Sequence, residues 1–139
     1  MDIKNATERI EQKLEAMAQV LGEVVFDEWV LVHRSAEGWE ILHYSGSRRD
    51  TFLQEFKNDI ATLRGTLAPE GTQAGDFAFS HEGYGSGFDA FLCVGNQFFA
   101  LFNNTKKSTG EITSSPKWTS AQVHFMELAE TFITHPING

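Results

Sequence analysis

Apolar residues near both ends of the chain recur at three- and four-residue steps, as they do along one face of a helix. A first helix is predicted from Asn5, which completes a capping box with Glu8, to Gly22, a residue typical of a left-handed C-terminal cap. A last helix is predicted to start at Ser115, with Pro116 in its first position, where the missing backbone donor costs nothing. The two apolar stripes consist of Ile10, Leu14, Met17 and Leu21, and of Trp118, Ala121, Phe125, Leu128 and Phe132.

A second helix is predicted in the middle of the chain, capped by either Ser47 or Asp50 and ended by residues 68–71. Phe52 falls outside the apolar stripe of this helix. A large apolar residue in such a place is sometimes a contact for a partner, although a wide core face is the commoner explanation. The stripe itself consists of Leu53, Phe56, Ile60, Leu63 and Leu67.

The remaining segments are rich in β-branched and aromatic residues and predict strands. Two strands precede the second helix, within residues 24–33 and 39–44. Three strands follow it: Phe77–His81, Phe88–Val94 and Gln97–Phe102. A two-residue turn at Gly95 and Asn96 would set Leu92 opposite Phe99, and residues 103–114 are interpreted as a polar loop.

The predicted order is helix, two strands, helix, three strands, helix. Both faces of the predicted hairpins are apolar, which indicates that helices cover both sides of the sheet. We therefore expect an α/β (α+β) sandwich, with residues 1–139 forming a single domain.

The charge of the chain excludes some partners. With 19 acidic and 11 basic residues the net charge is -8, so the surface repels a phosphate backbone and nucleic acid is not expected to bind. The single cysteine, Cys93, cannot form an internal disulfide, which favours a reducing compartment. No secretory signal follows Met1, and no apolar run approaches the roughly 20 residues that cross a membrane. We expect a cytoplasmic protein that does not bind membranes.

Two segments could be taken for phosphate-binding loops. Residues 83–87 are rich in glycine but join two predicted strands, whereas a phosphate-binding glycine loop leads from a strand into a helix. Residues 104–110 combine two lysines with hydroxyl side chains but lack the glycine spacing of a P-loop. A hairpin connection and an exposed loop are the favoured interpretations.

The histidines and the cysteine form no pattern typical of a catalytic or metal site. In the simplest register of the first hairpin, Val30 opposes His43 and His33 opposes Glu40, so the two imidazoles are expected on opposite faces of the sheet. Cys93 lies among apolar strand residues, where a thiol behaves as a small hydrophobic group. We therefore expect no catalytic residue, no metal and no cofactor, and interpret the chain as a non-enzymatic protein.

The element order, the length and the acidic composition, taken together, resemble the roadblock family of dynein light chain type domains. The resemblance extends from Asn5 to His135. It implies a five-stranded antiparallel sheet, with the second helix on one face and the first and last helices on the other. It also implies a homodimer, or a heterodimer with a related subunit, and a role in docking a small GTPase. The interface would contain the second helix and the third strand, in this sequence Phe52, Phe56, Phe77 and Phe79.

Two alternatives remain open at this point. A type III secretion chaperone is also acidic, dimeric and of this size, but its order resembles helix, three strands, helix, two strands, helix. A small-ligand sensor of the PAS or profilin-like type would keep a cavity between the sheet and a helix, which the phenylalanines could line or fill.

Overall fold

Strands and helices alternate in the computed structural model in nearly the expected order. The structure describes residues 1–55, 73–79 and 87–138. Its elements are α1 (Ile3–Leu21), β1 (Glu28–Ser35), β2 (Gly38–Ser45), the helical residues 49–55, named α2, β3 (Phe77–Phe79), β4 (Phe88–Gly95), β5 (Phe98–Asn104), α3 (Thr109–Thr113) and α4 (Trp118–Thr134). Two strands precede α2 and three follow it, which is not the order that the chaperone alternative requires.

The five strands form one antiparallel sheet in the order β2-β1-β5-β4-β3. On one face α1 packs against α4, and both cover a large buried cluster that includes Trp29, Leu92 and Phe125. On the other face a smaller buried cluster surrounds Phe91 and includes Phe52 of α2. This arrangement confirms the predicted fold class, with helices on both sides of a five-stranded antiparallel sheet.

The predicted starts of the first and the last helix are wrong, each by a few residues. Asp2 caps α1, because its side chain accepts a hydrogen bond from the backbone N–H of Asn5 at 2.7 Å; Asn5 itself lies inside the helix. Ser115 accepts from the backbone of Lys117 and Trp118 and so closes a turn that precedes α4. The predicted end of α1 is confirmed, since Gly22 adopts the left-handed conformation with φ 76°.

The predicted register of the last hairpin is also wrong. The turn lies one residue later than expected, and Gln97, rather than Gly95, has a positive φ of 65°. An irregularity between Cys93 and Gly95 then sets Cys93, not Leu92, opposite Phe99. Because side chains alternate along a strand, this one-residue shift exchanges the faces of every residue of β5 relative to β4.

The segment that was interpreted as a polar loop contains the short helix α3. Ser108 caps it in a capping box with Glu111, and the apolar side chain of Ile112 is buried in the larger cluster. Asn104 ends β5 by accepting hydrogen bonds from the backbone of Lys106 and Lys107. A segment of mostly polar residues can therefore be ordered by a few caps around one buried side chain.

Candidate functional site

The strand β3 forms one border of the sheet. It pairs with β4 on one side, with Phe77 opposite Leu92 and Phe79 opposite Ala90. Within residues 1–55, 73–79 and 87–138, no strand pairs with its other side. The side chain of Ala78 is exposed, so backbone donors and acceptors and one small side chain make up this border. An edge of this kind can be extended by a strand of another chain.

The rings of β3 hold the strand from the inner side. Phe77 packs edge-on against Phe125 of α4 with ring centroids 5.5 Å apart. Phe79 stacks on Phe88 at 5.7 Å and meets Trp118 at 5.3 Å. The two phenylalanines predicted to form an interface therefore anchor the border strand to the core, and their backbone is the part that a partner could reach.

Of the other two predicted interface residues, Phe52 lies on α2. Phe52 is only 8% exposed and packs against Tyr44, with ring centroids 5.5 Å apart. Phe52 therefore belongs to a wide core face of α2, the commoner of the two explanations for its place off the apolar stripe, and its role in an interface stays a prediction. Phe56 lies outside the residues that the structure describes.

A buried carboxylate, not singled out by the sequence, lies at the start of β1. Glu28 is 2% exposed and accepts hydrogen bonds from Arg48 Nη2 at 2.6 Å, from the Tyr44 hydroxyl at 3.0 Å and from Asn103 Nδ2 at 2.8 Å. Two residues before Val30 on the strand, it points to the same face as α2. We name Glu28, Tyr44, Arg48 and Asn103 the Glu28 network.

The Glu28 network joins the sheet to the beginning of α2. The carboxylates of Glu28 and Glu55 raise the pKa of the Arg48 guanidinium, chiefly through the hydrogen bond to Glu28. Burial raises the pKa of the Tyr44 hydroxyl, which also accepts a hydrogen bond from the Arg48 backbone at 3.3 Å. A β-carbon at Gly46 would collide with both Tyr44 and Glu28, so only glycine fits there. Apart from Arg48 Nε, which is buried without a hydrogen-bond partner, the described donors and the carboxylate satisfy one another, which indicates a structural role.

The expected placement of the histidines on opposite faces is wrong. A register irregularity between Leu31 and Val32 sets His43 opposite Leu31, so that both His33 and His43 lie on the face covered by α1 and α4. His33 stacks on Phe98 with ring centroids 4.4 Å apart. His43 stacks on Trp29 at 5.0 Å, and its Nε2 lies 3.8 Å from Glu11 Oε1.

The shared face does not create a metal site. No group of three histidine, cysteine, aspartate or glutamate side chains suited to a metal ion exists among the described residues. Glu11 instead accepts a hydrogen bond from Trp29 Nε1 at 3.2 Å, which ties α1 to β1. The contact of His43 with Glu11 therefore attaches α1 to the sheet, whereas the described contacts of His33 are with residues of the sheet.

Cys93 lies in the core, as its sequence context predicts. It is fully buried, its Sγ lies 3.3 Å from the carbonyl oxygen of Gly95, and burial raises the pKa of its thiol. The thiol therefore stays protonated at neutral pH, which does not suit a nucleophile.

We expect Cys93 to react with a disulfide reagent such as DTNB at least about a hundred times more slowly in the native protein than in denaturant, because the reagent needs a thiolate that is exposed only on opening. The release of thionitrobenzoate over time measures this rate. Equal rates under the two conditions would contradict the buried position.

Neither candidate phosphate loop gains support. Residues 80–86, most of the glycine-rich segment, lie outside the described part of the chain. In the other loop the backbone donors of Lys106 and Lys107 are already bound by Asn104, and Lys107 Nζ pairs with Glu23 at 2.7 Å. That lysine serves to hold the loop against the end of α1.

An open cavity of about 430 Å³ lies beside the first turns of α1, next to the residue that follows α4. Its position differs from the space between sheet and helix that the sensor alternative predicts. The lining side chains are mostly polar: Met1, Asn5, Glu8, Arg9, Gln12 and His135.

No helix in the described ranges combines the length and the apolar character needed to cross a membrane. No protein-family model matches the chain, and no curated protein resembles it significantly in sequence. Among solved structures, the chain is similar to the GAF domain of a protein described as a sensor histidine kinase from Pseudomonas syringae pv. tomato. The two share 14% sequence identity with a TM-score of 0.45, over 96% of this chain and 82% of that chain. A likeness this distant carries no argument about what the chain does.

Proposed function

We propose that this chain is a non-enzymatic regulatory module that binds another protein chain, in the first place a second copy of itself, along the outer edge of β3. The observation that supports the proposal is the outer edge of β3, with which no strand of the described ranges pairs. Phe77 and Phe79 anchor the strand through their rings, so it is held in an extended form before any partner arrives. A preformed edge loses less conformational entropy on pairing than a flexible segment would.

The net charge of the chain limits the kinds of contact through which two copies could associate. A net charge of -8 opposes association through broad electrostatic attraction between copies. Main-chain hydrogen bonds along an edge do not depend on side-chain charge, and Ala78 presents no charge at the centre of β3. Edge pairing is therefore a form of self-association open to so acidic a protein.

The resemblance to the roadblock family is compatible with this proposal and stays a prediction. Docking of a small GTPase also stays a prediction, and no contact in the described part of the chain supports it. The proposed binding of a second chain depends on neither, because its support is the edge position of β3 among the described strands.

Replacing Ala78 by glutamate is expected to abolish association of the protein with itself. Antiparallel pairing of two copies of β3 would bring the two position-78 side chains close together, and like charges directly across a strand pair are destabilising. Molecular mass measured by light scattering at about 100 µM, a concentration at which micromolar complexes persist, should change from that of a dimer to that of a monomer.

Ala36→Glu is the matched control, since Ala36 is also exposed but lies in the turn between β1 and β2. It adds the same charge and should leave the dimer intact. A dimer that persists in Ala78→Glu, or is lost equally in Ala36→Glu, would refute docking through β3.

A small-ligand sensor is the second candidate, favoured by the cavity of about 430 Å³ beside α1. This volume is within the range of about 300–1,000 Å³ typical of small-molecule sites. Arg9, Gln12 and His135 would offer a polar ligand hydrogen-bond donors there. The same wild-type preparation separates the candidates: native mass spectrometry that finds a monomer with a bound small molecule would favour the sensor over the docking module.

A further inference from the structure

Helix α4 carries exposed apolar side chains beside the open border of the sheet. Met126 and Ile133 are 47% and 63% exposed. They are seven positions apart, so they stand within about 20° of each other around the helix axis. An exposed pair of this size along one line of a helix is a candidate contact surface.

The contacts of nearby residues show where Met126 and Ile133 lie relative to β3 and α1. A β-carbon at Gly75, just before β3, would collide with the side chain of Ile133, so Ile133 lies over the start of the border strand. The ion pair of Glu127 with Lys13 at 2.5 Å marks the flank of α4 that meets α1. About 100° separates consecutive residues, which sets Met126 on the flank away from α1. We name Met126 and Ile133 the α4 stripe.

The surroundings of the α4 stripe are unusual in a chain with a net charge of -8. The nine residues from Trp118 to Met126 include no aspartate, glutamate, lysine or arginine. The charge-free stretch ends at Met126, because the exposed Glu127 and Glu130 follow it. An identical chain would bring no like charges together along this stretch, and depletion of charge is typical of the centre of an interface.

Antiparallel pairing of β3 with β3 of a second copy would bring the two α4 helices side by side. Strands are spaced by about 4.8 Å, so helices lying over β3 and β4 of each copy would be separated by roughly 10 to 14 Å. Packed helices lie about 8–10 Å apart, and long side chains such as methionine bridge the remaining distance. A two-fold axis between the paired strands, beside Ala78, would pass close to Phe125, because that ring contacts both Phe77 and Phe79.

We propose that the α4 stripe joins β3 in a symmetric interface between two copies of this chain, with the two Met126 side chains in contact at the two-fold axis. This inference rests on the proposed docking through β3. It adds a helix pair to the strand pair, and it differs from the interface implied by the roadblock resemblance, which contains the second helix.

Met126→Glu is expected to raise the dissociation constant of the dimer at least about 30-fold, the usual effect of losing a central anchor residue. Glutamate forms helix as readily as methionine, so circular dichroism should not change. Ser120→Glu is the control, because Ser120 is exposed on the same helix but about 120° away around the axis. It should leave the dissociation constant, measured by sedimentation equilibrium, within about twofold.

A charge-swap experiment tests the two-fold contact itself. Met126→Glu and Met126→Lys chains should each be monomeric alone and form a heterodimer when mixed, because the opposite charges then meet at the axis. Two monomeric variants that do not associate on mixing would overturn the Met126 contact. A dimer that survives Met126→Glu but is lost in Ala78→Glu would overturn the α4 stripe while docking through β3 stands. A wild-type monomer would overturn both.

Discussion

Replacing Phe125 by alanine is expected to lower the free energy of unfolding by about 4 kcal/mol, the usual cost of removing a buried phenylalanine ring. Phe125 is fully buried on α4. Its ring centroid lies 5.0 to 6.4 Å from those of Phe26, Phe77, Phe79 and Phe102. The alanine variant would leave a cavity that these rings, attached to different elements, could fill only in part. Denaturation in urea with linear extrapolation measures the loss.

The exposed neighbour Ser120 provides the control for this measurement. Ser120→Ala should change the free energy of unfolding by less than about 0.5 kcal/mol. The Phe125→Ala variant also tests the link between the core and the border of the sheet, because both rings of β3 pack against Phe125. We expect Phe125→Ala to weaken self-association as well. A loss below about 1 kcal/mol would mean that the rings close the cavity and are not rigidly packed.

The helices and the sheet class could be predicted because they depend on short-range periodicity. The three- and four-residue steps of α4 set Phe125 and Leu128 on the buried face, as found. The strand count followed from local runs of β-branched and aromatic residues. These signals lie within one element and do not depend on how elements meet.

The faces of individual strand residues could not be predicted, because two irregularities of one residue reverse them. One lies between Leu31 and Val32 and moves His43 to the face of His33; the other lies between Cys93 and Gly95. An extra residue in a strand changes the side of everything beyond it. The local sequence at both sites is apolar on both sides and so carries no signal for the slip.

The third strand was expected at an interface because the roadblock resemblance implies it, which stays a prediction, whereas nothing in the sequence singled out the α4 stripe. Phe52 stands off the apolar line of its helix, and of the two explanations for such a residue the wide core face applies, because α2 presents it to the sheet and buries it. Met126 also stands off the core line of its helix and is exposed. The distance of a residue from a stripe therefore does not decide its burial. The width of the surface that the helix covers decides it.

Replacing Glu28 by alanine is expected to lower the free energy of unfolding by about 3 kcal/mol, the lower end of the range for breaking a buried ion pair, since Arg48 is partly exposed. The substitution leaves the Arg48 guanidinium, the Tyr44 hydroxyl and the Asn103 amide without their shared acceptor. These partners are 20, 16 and 75 residues away along the chain, which is why no local pattern revealed the network. Urea denaturation followed by circular dichroism measures the change.

Glu55→Ala is the control that separates the effect of breaking a buried contact from the effect of removing one negative charge. Glu55 also binds Arg48, with its oxygen 3.2 Å from Nη2, but its side chain is 53% exposed. Water replaces an exposed partner at little cost, so Glu55→Ala should change the free energy of unfolding by less than about 1 kcal/mol. Both variants remove one negative charge from the chain, so a difference between them reports on burial. If the two lost the same stability, Glu28 would contribute only as a surface charge, and the network could not be what holds the start of α2 on the sheet.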